Sequence, residues 1–181
     1  MSAYNGRMTI QTAVVPFPLG CLRATVDDGV VRAATFALTP LPARRDDYGV
    51  FDLVAAYFDG EVDALDALPV EPAGTEFQRA VWKQLRLIPT GTTISYGELA
   101  RRVGNPNASR AVGMANASNP ITLIVPCHRV VRTGGSIGGY YYGTDVKRWL
   151  LAHEAQDQLG YSIGTVGVMS SPTRAKISSS V

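Results

Sequence analysis

Residues 75–117, TEFQRAVWKQLRLIPTGTTISYGELARRVGNPNASRAVGMANA, decide how the second half of this 181-residue chain folds. Thr75 is a good N-cap, and apolar residues then recur at helical spacing until Pro89 ends the run. The members of this apolar stripe are Phe77, Val81, Trp82 and Leu85. The pattern predicts a helix that packs one face against a core.

Two shorter helices follow in the same stretch. The first runs from Ser95 to Val103, the break Gly104-Asn105-Pro106 ends it, and the second runs over about residues 107–117. Two short helices joined by a tight turn that contains glycine are typical of a helix-turn-helix, which many DNA-binding proteins use. A last helix is predicted over residues 145–154.

The chain before residue 75 has a different pattern. Residues 8–15 and 20–38 are rich in strand-forming residues, and Asp27-Asp28-Gly29 divides the longer run as a hairpin turn. Residues 49–58 have apolar spacing of three and four, which predicts a short helix. Residues 66–75 contain two prolines and a glycine and are predicted to form a linker.

We therefore predict two structured units and a tail. The units are an N-terminal α/β domain over residues 1–70 and a mostly helical domain over residues 71–154. The remaining residues, 155–181, are rich in glycine and serine without periodicity, so we expect them to be mobile.

The composition excludes several classes of protein. No apolar run approaches the roughly 20 residues that a membrane-spanning helix needs, and the N-terminus does not resemble a signal peptide, so we expect a cytoplasmic protein with no membrane partner. Two cysteines and two histidines are too few for a disulfide framework or a metal cluster. Neither a Walker loop nor a G-x-G-x-x-G turn is present, so we expect neither a metal nor a nucleotide cofactor.

The net charge of +2 hides an uneven distribution along the chain. Residues 1–75 carry five arginines against ten acidic residues, a net charge of −5, whereas residues 76–154 carry ten lysines and arginines against four acidic residues, a net charge of +6. A basic segment behind an acidic one indicates a polyanionic partner such as nucleic acid. The other interpretation is that the two halves attract each other.

The predicted helix over residues 107–117 is unusual for a DNA reader. A helix in the major groove needs long polar side chains, but the outward positions here are Ser109, Arg110, Gly113 and Met114. Small residues allow the close approach that binding in the minor groove requires, and Arg110 could then enter the base stack. A tightly packed internal helix with one solvated arginine explains the same pattern.

Residues 121–130, ITLIVPCHRV, end an apolar run with a thiol beside an imidazole and a guanidinium. Nearby positive charge lowers the pKa of a cysteine below its usual value of about 8.5 and makes the thiol a better nucleophile. In an extended strand Cys127 and His128 would point to opposite faces unless Pro126 starts a turn, so we expect a water to bridge them. Glu154 is the candidate to orient His128 as a base. A structural cysteine at a strand end remains the alternative.

The segments NPITLIVPCHRVV, at 119–131, and YYYGTDVKRWLLAHE, at 140–154, resemble the methylated-DNA–protein-cysteine methyltransferases, also called O(6)-alkylguanine-DNA alkyltransferases. The Pro-Cys-His-Arg-Val motif is highly specific, and residues 77–104 and 109–120 match in order and spacing. The resemblance is strong over 75–154 and weaker over 1–74. It implies an α+β fold with a small ribonuclease H-like N-terminal domain that has a short antiparallel sheet, and a winged-helix-like C-terminal domain with a helix-turn-helix.

The resemblance also implies an activity, namely direct-reversal repair of O(6)-alkylguanine, and of O(4)-alkylthymine, in double-stranded DNA. Cys127 would attack the alkyl carbon and keep the alkyl group irreversibly, so that each molecule acts once. His128 would take the thiol proton through a water, and Glu154 would orient His128. Asn119 would brace the active-site turn, and Tyr96 would donate a proton to the departing guanine. The protein would be a monomer. Whether several molecules pack cooperatively along DNA is left open.

The DNA contacts follow from the same resemblance. The third helix would lie in the minor groove and Arg110 would fill the space left by the flipped nucleotide, whose extrusion costs a few kcal/mol. The other helix residues beside DNA would be Ser109, Ala111, Gly113 and Met114. The guanine amine would donate to the carbonyls of Cys127 and Val130, and the amide of Tyr141 would face the guanine oxygen. Tyr140, Tyr141 and Tyr142 would line the pocket.

The sequence departs from this family at two places. Mammalian members bind zinc in the N-terminal domain, but here that region has Cys21 and no histidine, so this site cannot be present. Small residues are common after the first tyrosine of the pocket loop, whereas this chain has Tyr142 at the second position after it. We predict that Tyr142 narrows the pocket mouth and slows the transfer of benzyl relative to methyl groups.

Two other functions account for part of the sequence. A non-catalytic lesion binder or helix-turn-helix regulator is disfavoured, because relatives that only bind lesions lack the cysteine that is present here as Cys127. A thiol hydrolase could use Cys127, His128 and Glu154, but it would turn over many times and would leave the basic helix-turn-helix without a purpose.

Overall fold

The computed structural model describes residues 10–157 of the chain. Its N-terminal part is an antiparallel sheet of three strands, β1 (Ile10–Phe17), β2 (Gly20–Asp27) and β3 (Val30–Ala37), in the order β1-β2-β3. The predicted hairpin between β2 and β3 is confirmed. Asp28 and Gly29 adopt φ values of 49° and 77°, which are the left-handed conformations that a tight two-residue hairpin requires.

Helix α1 (Val50–Phe58) packs on β1 and agrees with the predicted helix over residues 49–58. Phe58 stacks on Phe17 of β1 with 5.1 Å between the ring centroids. The Asp46 carboxylate accepts hydrogen bonds from the amides of Tyr48, Val50 and Phe51 and so satisfies the free amides at the start of the helix.

Three helices form the centre of the C-terminal part, namely α2 (Glu76–Leu85), α3 (Tyr96–Arg102) and α4 (Ser109–Ala117). Thr75 caps α2 in a reciprocal capping box with Gln78, as the sequence predicted for the start of this helix. Helix α2 ends at Leu85, earlier than the predicted stop at Pro89, because the next residues form tighter turns: the amides of Leu87 and Ile88 donate to the carbonyls three residues before them.

The apolar run at residues 121–125 connects the two parts of the molecule. The Ala34 amide of β3 donates to the Pro120 carbonyl at 2.9 Å, and the Thr122 amide donates to the Ala34 carbonyl at 2.9 Å. Strand β4 (Ile94–Ser95) then pairs in parallel with β5 (Val130–Val131), directly after the cysteine turn. The apolar run at residues 121–125 is therefore buried between the sheet and the helices and does not form a long strand.

The last helix, α5 (Thr144–Asp157), is longer than the sequence predicted. It continues three residues beyond Glu154, so the start of the predicted tail is helical, and residues 158–181 lie outside the described part of the chain. The predicted linker at 66–75 is also held in place. The Glu71 amide donates to the Val31 carbonyl at 3.1 Å, and the Arg86 guanidinium donates to the carbonyls of Leu65, Asp66, Leu68 and Ile124.

Within residues 10–157, no helix is both long and apolar enough to cross a membrane.

Candidate active site

Cys127 lies in a single 3-10 turn, Cys127–Arg129, that Pro126 precedes. Asn119 shapes the approach to this turn, because its side-chain amide donates to the Val125 carbonyl at 2.7 Å and its oxygen accepts from the Ile121 amide at 3.0 Å. Cys127 and His128 therefore do not lie in an extended strand, and Pro126 does start the turn that the sequence left open.

The Cys127 thiol is almost completely buried, with 4% of the residue exposed. Its sulfur lies 3.8 Å from the Tyr140 hydroxyl oxygen. Burial raises the pKa of this thiol, and hydrogen bonds with Asn119 and Tyr140 together with the positive charge of Lys147 offset only part of that effect. The resting cysteine is therefore a protonated thiol, because burial outweighs the neighbouring positive charge that favours the thiolate.

Arg129 does not activate the thiol because it points to Glu154. Its Nε donates to Glu154 Oε2 at 2.9 Å and its Nη2 to Oε1 at 2.9 Å, a bidentate pair that is buried on both sides. Arg129 also donates to the Ile88 carbonyl at 2.6 Å and the Thr90 hydroxyl at 3.2 Å. It therefore ties the cysteine turn to the end of α5 and to the loop after α2.

His128 is fully buried beside the same carboxylate, with 2.8 Å between its Nε2 and Glu154 Oε1. Burial lowers the pKa of His128 more than Glu154 raises it, so the imidazole is neutral at pH 7. Glu154 is itself buried, which raises its pKa, but His128 and Arg129 outweigh this and hold the pKa well below its usual range. An ionised carboxylate can only accept, so Nε2 carries the imidazole proton.

The other imidazole nitrogen, His128 Nδ1, is buried and has no hydrogen-bond partner among residues 10–157. In this tautomer Nδ1 is an unprotonated acceptor, which is the state a general base needs. No direct hydrogen bond joins Nδ1 to the Cys127 sulfur in the described part of the chain. The arrangement can accept a proton from the thiol if a water lies between them.

A cavity of about 570 Å³ opens above Cys127, within the range of 300–1,000 Å³ that is usual for ligand pockets. Both parts of the molecule line it. Thr35 comes from β3, Tyr96 from the start of α3, and Gly113, Asn116 and Ala117 from α4. The loop before α5 closes the remaining side with Arg132, Gly139 and the three tyrosines 140–142.

The three consecutive tyrosines have different environments. Tyr140 approaches the thiol, and burial raises its pKa well above the usual value, with a further contribution from Cys127. Tyr142 packs edge-on against Phe36 of β3 at 5.3 Å and lies 3.5 Å from the Thr122 hydroxyl. Tyr141 is 82% exposed at the pocket rim.

Tyr96 faces the same cavity from its position directly after the cap residue Ser95. Burial raises the pKa of its hydroxyl, and the Cys127 thiol adds to this, while Arg132 and a hydrogen bond with Asn116 act in the opposite direction. A β-carbon placed on Gly113 of α4 would lie 3.9 Å from the Tyr96 ring, an ordinary van der Waals distance, so the ring lies close against this helix.

The outer face of α4 carries the residues that the sequence singled out for DNA. Arg110, Ala111 and Met114 are exposed, and Met114 is 75% exposed, whereas Ser109 and Gly113 are half-buried. Val130, by contrast, is fully buried, and its carbonyl accepts a 2.6 Å hydrogen bond from Lys147 Nζ.

Several residues that touch this site were not predicted from the sequence. Those that form hydrogen bonds with the cysteine turn or its neighbours include Arg129, Lys147, Asn116 and Tyr57. Burial lowers the pKa of Lys147 to about 8, and its ammonium bridges the carbonyls of Val130 and Ile137. A basic residue within the predicted last helix was visible in the sequence, but its inward direction was not.

Comparisons with known proteins show which family this chain resembles. A family model described as the DNA-binding domain of 6-O-methylguanine DNA methyltransferase matches residues 76–156. The chain is 51% identical over 106 residues to a methylated-DNA–protein-cysteine methyltransferase of Shigella flexneri, and 54% identical over 99 residues to one of Methanosarcina acetivorans. These matches cover 59% and 55% of this chain but only 62% and 63% of the two relatives.

Solved structures extend the likeness to both parts of the molecule. The Mycobacterium tuberculosis O6-methylguanine methyltransferase superimposes with a TM-score of 0.67 and 38% identity, over 82% of this chain and 94% of that one. The structure of M. tuberculosis OGT in complex with DNA gives a TM-score of 0.71 and 39% identity, over 80% of this chain and 92% of that one. The mixed α/β architecture, with its small antiparallel sheet and helices, is the same. The chain belongs to the methylated-DNA–protein-cysteine methyltransferase family.

Proposed function

We propose that this protein repairs O(6)-alkylguanine in DNA by moving the alkyl group to the sulfur of Cys127. The observation that carries this proposal is a buried thiol at the floor of a ligand-sized cavity, beside a neutral imidazole whose Nδ1 is free to accept a proton. The naming of relatives as methylated-DNA–protein-cysteine methyltransferases supports the same reaction.

The reaction proceeds by displacement at the alkyl carbon. His128 takes the thiol proton through a water, and the resulting imidazolium is stabilised by the Glu154 carboxylate at 2.8 Å. The sulfur then forms a bond to the alkyl carbon while the bond from that carbon to the guanine oxygen breaks. Tyr96 gives a proton to the departing guanine. No group in this scheme cleaves the new thioether, so each molecule acts once.

The high pKa of the resting thiol fits this scheme. A preformed thiolate in a buried pocket would be costly, and it would also be open to oxidation and to unrelated electrophiles. Cys127 becomes nucleophilic only when a substrate fills the cavity and His128 accepts the proton. Asn119 has the role of a brace, because it holds the Ile121 amide and the Val125 carbonyl in the segment that leads into the turn.

DNA is the partner in this proposal, and it is bound through α4. The helix enters the minor groove with Ser109, Ala111, Gly113 and Met114 against the backbone and sugar edges, and Arg110 replaces the flipped base. Tyr140, Tyr141 and Tyr142 form the base pocket, whereas Val130, which the resemblance also placed there, is fully buried outside the cavity lining and its carbonyl is held by Lys147. The substrate range includes O(4)-alkylthymine, because the same displacement applies to any alkyl group on an exocyclic base oxygen.

The remaining parts of the proposal concern architecture and setting. The N-terminal domain, residues 1–70, is ribonuclease H-like, and the domain over 71–154 is winged-helix-like with α3 and α4 as its helix-turn-helix. The protein works in the cytoplasm as a monomer, and several molecules can pack side by side on DNA.

Mass spectrometry of the reacted protein tests the function. The protein is incubated with a duplex that contains O(6)-methylguanine, and one methyl group is expected on the peptide that contains Cys127. Cys127→Ala should show no addition, whereas the matched variant Cys21→Ala, at the other buried cysteine, should react normally. Unchanged mass with retained binding would indicate a lesion binder, and release of product beyond one equivalent would indicate a hydrolase.

A further inference from the structure

We propose that Tyr57, from the N-terminal part of the molecule, is a positioning residue of the active site that fixes the Glu154 carboxylate orienting His128. The inference rests on the proposed transfer to Cys127 and adds to it a residue outside the segment that the family model matches, 76–156.

The contact between the two parts is direct and buried. The Tyr57 hydroxyl donates to Glu154 Oε1 at 2.9 Å, across 97 positions of sequence, and Tyr57 has no exposed surface. The residue sits in α1, whereas Glu154 lies in the last turns of α5. Burial and the adjacent carboxylate raise the pKa of Tyr57 well above its usual value, so its hydroxyl remains a proton donor throughout the neutral range.

The Tyr57 ring is itself held in one orientation. His153 packs against it edge-on at 5.2 Å, and His153 Nε2 lies 2.6 Å from the Tyr57 carbonyl oxygen. Phe58 adds a second edge-on contact at 5.5 Å. Because His153 and Phe58 hold the Tyr57 ring and backbone in place, the hydroxyl is a fixed donor, and through it the N-terminal part helps to position Oε1.

Three donors share the single oxygen Oε1. They are the Tyr57 hydroxyl, His128 Nε2 and Arg129 Nη2, at 2.9, 2.8 and 2.9 Å. The second oxygen accepts from Arg129 Nε at 2.9 Å and faces the Gly91 amide at 3.5 Å. The other charged or titratable groups that act on His128 are Lys147 of α5, which disfavours its charged form, and Arg129.

The hydroxyl of Tyr57 therefore competes with His128 for the negative charge on Oε1. Hydrogen bonds to a carboxylate disperse its charge and weaken its attraction for any one partner. With Tyr57 in place, Glu154 orients His128 but does not raise the pKa of His128 enough to protonate it before substrate binds. Without the hydroxyl, the carboxylate attracts the imidazolium more strongly, so the pKa of His128 should rise.

Replacing Tyr57 by phenylalanine tests this directly, because the ring and its packing remain. Histidine NMR signals are followed during a pH titration of the wild type, Tyr57→Phe and the control Tyr48→Phe, which removes a hydroxyl from a partly exposed tyrosine of the same domain. We expect His128 to titrate about half a pH unit or more higher in Tyr57→Phe, and to be unchanged in Tyr48→Phe.

The rate of alkyl transfer gives the second readout. The acidic limb of the pH–rate profile, measured with a methylated duplex, should move to higher pH in Tyr57→Phe, a change that mere loss of stability would not produce. The inference is overturned if His128 titrates at the same pH in the wild type and in Tyr57→Phe. It is also overturned if His128 titrates in neither protein before the protein unfolds in acid. Failure of the wild type to transfer an alkyl group would overturn the proposed function instead, and the NMR titration would still decide the role of Tyr57.

Discussion

Glu154 is a buried carboxylate whose protonation should control the stability of the fold at low pH. Burial raises its pKa, but His128 and Arg129 outweigh this and hold the pKa well below the usual range. A carboxyl with a lower pKa in the folded than in the unfolded chain stabilises the protein above the unfolded value, about 4.3. This contribution is lost as the pH falls below that value toward the folded pKa.

We expect Glu154→Gln to change both the size and the pH dependence of the free energy of unfolding. At pH 7 the variant should be less stable by about 3–5 kcal/mol, because Arg129 is left buried without its counter-charge. Below pH 4.5 the stability of the wild type should fall more steeply than that of the variant. Urea unfolding at pH 7, 5, 4 and 3 measures both effects. Parallel curves for the two proteins over this range would contradict the assignment.

A matched exposed pair provides the control for that experiment. Arg148 and Asp145 form a surface ion pair at 3.0 Å on α5, with most of each side chain in solvent. Asp145→Asn should change the stability at pH 7 by less than about 1 kcal/mol, because exposed pairs contribute little. Comparing Glu154→Gln with Asp145→Asn shows whether the loss of stability comes from the burial of the carboxylate or only from removing a negative charge from α5.

Single functional residues could be predicted from the sequence only where they belong to a local motif. The Pro-Cys-His-Arg-Val run pointed to Cys127 and His128, the last predicted helix supplied Glu154 as a candidate to orient His128, and the resemblance added Asn119 and Tyr96. Tyr57 carried no such signal, because its contact with Glu154 depends on how α1 packs on the rest of the molecule. Arg129 was visible beside the cysteine, but its direction depends on the 3-10 turn, which the apolar run before Pro126 does not reveal.

At the level of the elements, the start of α2 depends on a close approach between Gly74 and Trp82. A β-carbon on Gly74 would lie 2.5 Å from the Trp82 ring, which is buried and donates to the Ala115 carbonyl of α4 at 2.8 Å. The indole cannot move without losing its contact with α4. Gly74→Ala should therefore lower the free energy of unfolding by about 1–3 kcal/mol through overpacking.

Gly97→Ala is the matched control for this prediction. Gly97 lies in the first turn of α3, and a β-carbon there would meet only the Ser95 hydroxyl oxygen at an ordinary 3.8 Å. Alanine favours the helix by up to about 1 kcal/mol, so this variant should be as stable as the wild type or slightly more stable. Thermal or urea unfolding of both variants decides the matter, and equal stability for Gly74→Ala and the wild type would contradict the packing argument.

The presence of most helices and strands could be predicted from the sequence, but the residues at which some of them end could not. The Asp27-Asp28-Gly29 turn predicted the hairpin, and apolar spacing, capping residues and the break at residues 104–106 predicted α1, α2, α3 and α4, because all these signals are local. The end of α2 and the extension of α5 to Asp157 were not predicted, because the tighter turns after Leu85 and the helical turn after Glu154 have no distinct signal in the sequence. The segment at 121–125 was identified as buried. Its backbone hydrogen bonds to Ala34 of β3 were not predicted, because a tertiary contact of this kind leaves no periodic pattern in the sequence.

For the whole molecule, the decisive feature is that the cavity above Cys127 has walls from both parts. Thr35 and Phe36 belong to the N-terminal sheet, and Phe36 supports the ring of Tyr142 across the boundary. The acidic N-terminal part thus lies against the basic C-terminal part. The two interpretations of the charge pattern, attraction between the two parts and a polyanionic partner, therefore do not exclude each other. Pocket shape is therefore a property of the assembled fold and not of the cysteine segment.

Tyr142 should make the transfer of a benzyl group slower than the transfer of a methyl group. Its ring is fixed between Phe36 and Tyr141, with 5.3 and 5.0 Å between centroids, and its hydroxyl lies 3.5 Å from Thr122, so it cannot easily turn aside for a bulky adduct. The measurement is a competition between benzylated guanine base and a methylated oligonucleotide, followed by the mass of the Cys127 peptide. Tyr142→Ala should raise the benzyl-to-methyl ratio at least about tenfold, or about 1.4 kcal/mol. Tyr48→Ala, at a tyrosine outside the cavity lining, should leave that ratio unchanged, and equal or faster benzyl transfer by the wild type would refute the role of Tyr142.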